Sequence, residues 1–458
     1  MAEQKATLGT TISKLQSDKK YKTLRDVLST MNPADIAAVF EDLEEERLPV
    51  LFRLLPKELA ADTFVEMEPE AQELLIQGFS DSELKEVLDE LYLDDAVDLV
   101  EEMPANVVKR ILRQADPDMR ASINELLRYP EDSAGSIMTT EFVSLRPQQT
   151  VEEAFRRIRR TGVDKETIYT CYVTDNANHL IGIVTVRELL LSDYDDAIGS
   201  IMTPNVISVG THEDQEEAAR MCSRYAFLAL PVVDGENRLV GIVTFDDAMD
   251  VIEEETTEDM EIMAAITPSD KSYMRSGVLQ IWKQRIPWLL LLMISATFTG
   301  IIITSFENAL AAQVALVGFI PMLMDTGGNS GSQSSVTIIR GLSLEEIEFT
   351  DLFQVVWKEI RVAVLCGLCL ALACYAKIML IDRMLMGNDA VTPAIALIVC
   401  LTLAVTVLMA KTVGCTLPIL AKKIGFDPAV MASPFITTIV DALSLLVYFG
   451  IASAWLGL

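Results

Sequence analysis

Gly135-Ser136-Ile137-Met138-Thr139 returns as Gly199-Ser200-Ile201-Met202-Thr203, and Leu180-Ile181-Gly182-Ile183-Val184-Thr185 returns as Leu239-Val240-Gly241-Ile242-Val243-Thr244. Each copy, about 60 residues long, runs from an extended entry through a helix to paired strands with a polar turn and a closing helix. A duplicated α+β unit therefore occupies the middle of the chain.

This central duplication resembles a tandem pair of CBS domains, over residues 133–195 and 196–251. The second copy keeps the usual apolar-Pro-Val segment at Leu230-Pro231-Val232-Val233, whereas the first has Thr170-Cys171-Tyr172-Val173. N-terminal to it, beyond a tail of residues 1–20, residues 21–132 show apolar positions at three- and four-residue spacing. Related phrases start at Asp35, Glu58 and Asp95, and Pro33, Pro56, Pro69, Pro104 and Pro117 punctuate them. Short helices that cannot bury their apolar faces alone predict an all-α superhelical domain. C-terminal to the duplication, residues 247–265 read as a very acidic helix, part of a connecting segment over 252–284. Apolar runs of bilayer length then fall at 287–306, 309–328, 362–381, 392–411 (continuing to about 420) and 433–456, so residues 285–458 predict a transmembrane domain of five helices.

The charge follows the same division. The chain carries a formal net charge of −30, yet half its residues are hydrophobic. Residues 1–270 hold 56 acidic and 25 basic residues, and the remainder holds 11 and 12. So acidic a soluble half repels nucleic acid and anionic lipid and attracts cations. Lys283 and Arg285, then Arg340, Lys358 and Arg361, then Lys422 and Lys423 all fall on one side of the membrane if the N-terminus is cytosolic, which places the C-terminus outside. The N-terminal stretch lacks the apolar core of a secretory signal. The seven cysteines show no disulfide framework, and Cys366 and Cys369, at CxxC spacing, read as small hydrophobes.

Two features of the membrane half suggest chemistry. Asp441 is a carboxylate inside an apolar span, which costs about 2.5–3.5 kcal/mol on insertion scales and usually marks an aqueous path or a partner; the structural alternative is a protonated Asp hydrogen-bonded between helices. The stretch from Asp325 to Ser335, with its glycines and small polar residues, predicts a broken helix lining a cavity; the alternative is a close-packing patch. Lys411 reads as snorkelling to the interface; the alternative is a counter-ion within the span. His179 and His212 are the only histidines, so the cation has to be oxygen-liking. A hydrated Mg²⁺ needs only one or two carboxylates, and a single membrane Asp per chain suffices when two subunits face each other, which predicts a homodimer. No nucleophile and base pair, phosphate loop or metalloenzyme ligand set is found, so the chain does not read as an enzyme.

The whole chain resembles the MgtE family of magnesium channels, on residues 321–333, Pro321-Met322-Leu323-Met324-Asp325-Thr326-Gly327-Gly328-Asn329 onward, and on residues 427–441 from Asp427-Pro428 to Asp441. The resemblance implies Mg²⁺ import across the plasma (inner) membrane, with Asp441 as selectivity carboxylate, Asn329 close to it and Asp427 at the inner mouth. Thr437, where the family can carry a small apolar residue, and Ser433 add hydroxyls to the pore wall. In related proteins the acidic helix is called a plug. Cytosolic Mg²⁺ is then expected to bridge Asp94 and Asp95 of the helical domain, Asp214 and Glu216 of the second CBS copy, and Asp247, Asp250, Glu258 and Asp259 of the acidic helix, closing the pore by negative feedback. CBS pairs also bind adenine nucleotides, so Thr244 and Asp247 are the candidate contacts of a modulating ATP. The competing reading is a membrane-anchored divalent-cation sensor that transports nothing.

Overall fold

The structure, a computed structural model, describes residues 12, 14, 15, 18–41, 43, 47–269, 273, 276–307, 311 and 313–456, without the side chains of Glu41, Asp164 and Ser433. Most of the expected tail at 1–20 and the expected start of the second span at 309 lie outside the described residues. The chain divides into two compact units, Met1–Glu253 and Glu254–Leu458.

Short helices follow one another in the first unit: α1 (Tyr21–Leu28), α2 (Pro33–Glu41), α3 (Leu48–Phe52), α4 (Lys57–Val65), α5 (Pro69–Gly78), α6 (Asp81–Leu88), α7 (Leu93–Glu102), α8 (Ala105–Gln114) and α9 (Pro117–Leu126). The prolines start them. Pro33, Pro69 and Pro117 occupy first helical positions, where their missing N–H has no partner to lose, and Pro56 and Pro104 sit at N-caps. At α6 the Ser80 hydroxyl and the Glu83 carboxylate form a reciprocal capping box. Helices pack on the second one along, α2 on α4, α4 on α6, α6 on α8 and α7 on α9, so a continuous apolar core is built from pieces too short to stand alone.

The duplication folds as two three-stranded sheets of identical order. β1 (Val143–Leu145) pairs parallel with β2 (Thr170–Thr174), which pairs antiparallel with β3 (Leu180–Thr185). β4 (Val209–Gly210), β5 (Ala229–Val233) and β6 (Leu239–Thr244) repeat the pattern. Helices α10 (Val151–Thr161), α11 (Val186–Leu191), α12 (Ile198–Ile201) and α13 (Gln215–Tyr225) flank them. The two repeated motifs explain each other. Thr139 of the first copy exchanges backbone hydrogen bonds with Ile242 of β6 (2.8 and 2.9 Å), and Thr203 of the second does the same with Ile183 of β3 (2.8 and 3.0 Å). Met138 and Met202 then lie where a side chain on Gly241 or Gly182 would go, with sulfur 2.6 and 2.7 Å from the Cβ each glycine lacks. Tyr172, the departure in the first copy, is fully buried, and its hydroxyl donates to Ala229 O at 3.2 Å.

α14 (Phe245–Met263) leaves the second copy and carries the acidic run; the boundary between the units falls within it. The second unit contains α15 (Val278–Ser305), α16 (Ile320–Ser343), α17 (Leu352–Lys377, extended by a π-helical segment to Leu385), α18 (Pro393–Lys423) and α19 (Ser433–Leu456). Among the described residues four helical stretches, Val278–Ser305, Phe349–Leu385, Pro393–Lys423 and Pro428–Leu456, are long and apolar enough to cross a bilayer.

Two expectations fail in this unit. Residues 325–335 do not break a helix. They lie inside the continuous α16, which starts after a 3₁₀ turn at Val314–Phe319 and runs on to Ser343, well beyond the expected end of the second span at 328. The glycines serve contact instead: a Cβ on Gly327 would stand 2.7 Å from Thr406 Cγ2 and 2.9 Å from Ser444 Oγ, one on Gly331 2.8 Å from Ile436 Cγ2, and one on Gly328 would collide with Thr437 Cγ2. Backbone approach between α16, α18 and α19 repays the roughly 1 kcal/mol that each helical glycine costs. Nor does Lys411 snorkel. It is 5% exposed, and its ammonium lies 3.8 Å from Glu359 of α17.

Candidate functional site

Acidic residues collect at one place in the first unit. α7 presents Asp94, Asp95 and Asp98 toward Asp246 and Asp247, at the start of α14, and toward Glu166 of the first CBS copy. Burial, with Asp95 as the leading neighbouring charge, pushes the Asp94 carboxyl up. Burial and then Asp247 and Asp246 raise Asp95 to about 7, and burial and Asp247 carry Asp98 well above the carboxylate range. Burial and then Asp94 raise Asp247, although the Thr244 hydroxyl, donating at 2.5 Å, works against the rise. Glu166 reaches about 8 by burial and the four nearest aspartates, and its buried Oε2 has no hydrogen-bond partner. Beside this group burial also raises Glu66, on which Asp250 and Asp246 are the nearest charges. Each neighbouring charge that weighs on these groups is another carboxylate.

Such an arrangement lacks positive charge. An all-oxygen donor set of this kind suits a hard divalent cation, and the buried, unpartnered oxygen of Glu166 is the atom such a cation would compensate. Among the described residues no three His, Cys, Asp or Glu side chains are gathered tightly enough to ligate a metal directly.

Of the eight expected sensor residues, the structure brings Asp94, Asp95 and Asp247 together, with Asp250 at the edge. Asp214 and Glu216 are engaged locally: Asp214 caps α13 by accepting the Glu216 N–H at 2.9 Å, and Glu216 pairs with Arg220. Glu258 and Asp259 lie on the later part of α14, in the second unit, where burial and then Asp427 raise Asp259 and the Ser343 hydroxyl opposes the rise. Thr244 and Asp247 form the local hydrogen bond that opens α14, as Thr185 and Glu188 form the capping box of α11 in the first copy. Glu166 and Asp98 were missed by sequence reasoning. Asp98 is one turn beyond Asp94 and Asp95 on α7 and could have been found by helical spacing; Glu166 lies in a loop with no periodicity to announce it.

The second polar site lies between α16 and α19. Asp325 and Asn329, four apart on α16, share one exposed face, and Thr437 and Asp441, four apart on α19, share a half-buried one. The glycine contacts at Gly327, Gly328 and Gly331 draw these helices together. Asp325 is the charge that acts on Asp441, whose Oδ1 is buried without a hydrogen-bond partner. The hydroxyls of Thr402 and Thr406 on α18 are also buried and unpartnered. Asp427 is exposed and caps the short 3₁₀ turn before α19, accepting the Ala429 N–H at 2.7 Å. The side chain of Ser433 lies outside the described residues.

Comparison with known proteins covers both units. Residues 320–451 match the family model described as divalent cation transporter, 31–132 the MgtE intracellular N domain, and 134–194 and 198–254 the CBS domain. The magnesium transporter MgtE of Thermus thermophilus is 37% identical over 435 residues, 94% of each chain, and that of Bacillus subtilis is 33% identical over 446 residues, 96% of each. A crystal structure of the cytosolic domain of the Mg²⁺ channel MgtE in complex with ATP, 40% identical, superposes with a TM-score of 0.51 over 53% of this chain and 99% of that one. By sequence over nearly all of its length and by the fold of its first unit, the chain belongs to the MgtE family of divalent cation transporters and is a magnesium transporter in type.

Proposed function

We propose that the chain is the subunit of a homodimeric, Mg²⁺-selective channel of the plasma membrane with five spans per subunit, α16 being the polar fifth. Ions pass along the cleft between α16 and α19, where Asp441, Asp325 and Asn329, with Thr437 and Ser433 on the wall and Asp427 at the inner mouth, hold a hydrated ion. The observation that carries this reading is the buried, unpartnered Oδ1 of Asp441 beside the like charge of Asp325. Two carboxylates left so in an apolar unit call for a cation, and pairing across a two-fold axis supplies enough of them for Mg²⁺ with its waters.

The first unit and α14 face the cytosol and sense the same ion. Mg²⁺ compensates Asp94, Asp95, Asp98, Asp247 and Glu166, with Asp250 nearby, and Asp259 with Asp427; Asp214, Glu216 and Glu258 contribute to further ions. Occupied, they favour the compact, closed form, and falling cytosolic Mg²⁺ opens the pore, because the ion binds the closed form more tightly. ATP at the CBS pair, next to Thr244 and Asp247, modulates this balance; the ATP complex of the related cytosolic domain supports that choice of nucleotide. The C-terminus lies outside.

The test is Mg²⁺ entry into liposomes containing the purified protein. Uptake by the parent and its loss in Asp441→Ala support the channel. No uptake by the parent, with Asp441→Ala indistinguishable from it, would leave the non-transporting sensor.

A further inference from the structure

Within the second unit a buried charge pair stands apart from the proposed ion path. Lys411 of α18 is 5% exposed, its ammonium lies 3.8 Å from Glu359 Oε2 of α17 and donates to Ser334 Oγ of α16 at 3.2 Å. The Ser334 hydroxyl in turn donates to the same Glu359 oxygen at 2.6 Å, and Ser334 itself is 2% exposed. One serine thus accepts from the lysine and donates to the glutamate, which fixes its rotor and ties three helices at one point.

The position of this node matters. Ser334 and Lys411 each lie three residues from a glycine, Gly331 and Gly414, at which the backbones of α16 and α18 touch. At Gly331 and Gly414 backbone meets backbone, so these two residues hold the helices close but contribute no side chain of their own to oppose sliding of one along the other. Apolar residues would fill the space beside them at no greater energetic cost than an ion pair. What they would lack is direction, which hydrogen bonds to a single hydroxyl supply. The same helix bears Asp325 and Asn329 further toward its N-terminus.

We infer that the Lys411–Glu359 pair, acting through Ser334, sets the axial register of α16 against α17 and α18 and thereby positions Asp325 and Asn329 for the ion held with Asp441. This rests on the reading of the α16 and α19 cleft as the ion path. Lys411, Glu359 and Ser334 are positioning residues; none touches the ion.

The experiment measures Mg²⁺ uptake by the full-length protein in liposomes, together with its melting temperature in detergent. The variants are Ser334→Ala, Lys411→Met, Glu359→Gln and the Lys411→Met/Glu359→Gln double. Each single charge loss lowers both melting temperature and uptake, because it leaves a lone buried charge. In the double variant the melting temperature recovers, while the Mg²⁺ concentration for half-maximal uptake stays raised about tenfold, since a shift of roughly 1 Å in a binding group costs that much or more. Ser334→Ala shows the same raised concentration with a smaller loss of melting temperature than either single charge variant, since both charges remain. Half-maximal concentrations equal to the parent's in the double variant and in Ser334→Ala would overturn the inference and leave the pair a packing feature. Asp441→Asn in the same vesicles separates the premise: uptake unchanged there overturns the ion-path reading and the inference with it, whereas uptake lost there, with the pair variants like the parent, overturns the inference alone.

Discussion

Asp95 and Glu166 hold their protons to about 7 and about 8, and Asp98 is likewise pushed well above the carboxylate range, because burial and neighbouring carboxylates penalise the charged form. In the unfolded chain the same groups ionise near 4. Between those values the folded form binds more protons than the unfolded one, so the stability these groups contribute is present below about pH 4 and is lost as pH rises through 7 to 8. In chelator, the melting temperature of the full-length protein is therefore expected to fall from pH 5 to pH 8, and in millimolar Mg²⁺ that slope should largely disappear. A single neutralisation such as Asp95→Asn should stabilise the chelated protein at pH 8 by on the order of 2 kcal/mol and reduce the extra stabilisation that Mg²⁺ provides. Equal slopes with and without Mg²⁺ would show that the cluster is compensated by something other than the ion.

At the scale of elements, the seam between α16, α18 and α19 depends on absent side chains. Gly414→Val should destabilise the detergent-solubilised protein by about 1–3 kcal/mol, since even a Cβ there would collide with Gly331 O. Gly300 on α15 has nothing within 4 Å of its missing Cβ, so Gly300→Ala should be neutral or stabilising by up to about 1 kcal/mol. Thermal unfolding in detergent compares the two. The same seam shows what sequence reading could and could not reach. The repeated motifs were legible because each copy's Met and Thr must match the other's Gly and Ile, a constraint that leaves its mark twice. The proline-started helices of the first unit were legible because Pro tolerates few other positions. The glycine-rich stretch was not: its composition is compatible with a broken helix and with a tightly packed one, and only the neighbours, Thr406, Ser444 and Thr437, decide. Lys411 was misplaced for the same reason, because Glu359, fifty-two residues earlier, gave no local sign of being its partner. Asp325 and Asp441 were found by residue type, as carboxylates in apolar stretches, and Asn329 and Thr437 through the family resemblance; the structure adds that they come in pairs four apart on two touching helices.

Across the whole molecule the charge is divided as the proposed work is. Residues 1–270 carry 56 acidic against 25 basic residues and the remainder carries nearly equal numbers, so a divalent cation is expected to offset net charge in the first part far more than in the second. That asymmetry fits the proposed use of one ion as cargo and as signal. Limited proteolysis of the full-length protein should accordingly slow when Mg²⁺ is added, and slow less in an Asp94→Ala/Asp247→Ala variant. The central claim, that carboxylates short of positive charge in the first unit control an ion path in the second, is tested most directly by recording single-channel currents from membrane patches while Mg²⁺ is raised on the side bearing the first unit. The account predicts that open probability falls as Mg²⁺ rises through the millimolar range, and that Asp94→Ala/Asp247→Ala shifts the fall to higher concentration. Open probability that is indifferent to Mg²⁺ on that side, in a protein that still conducts the ion, would contradict it.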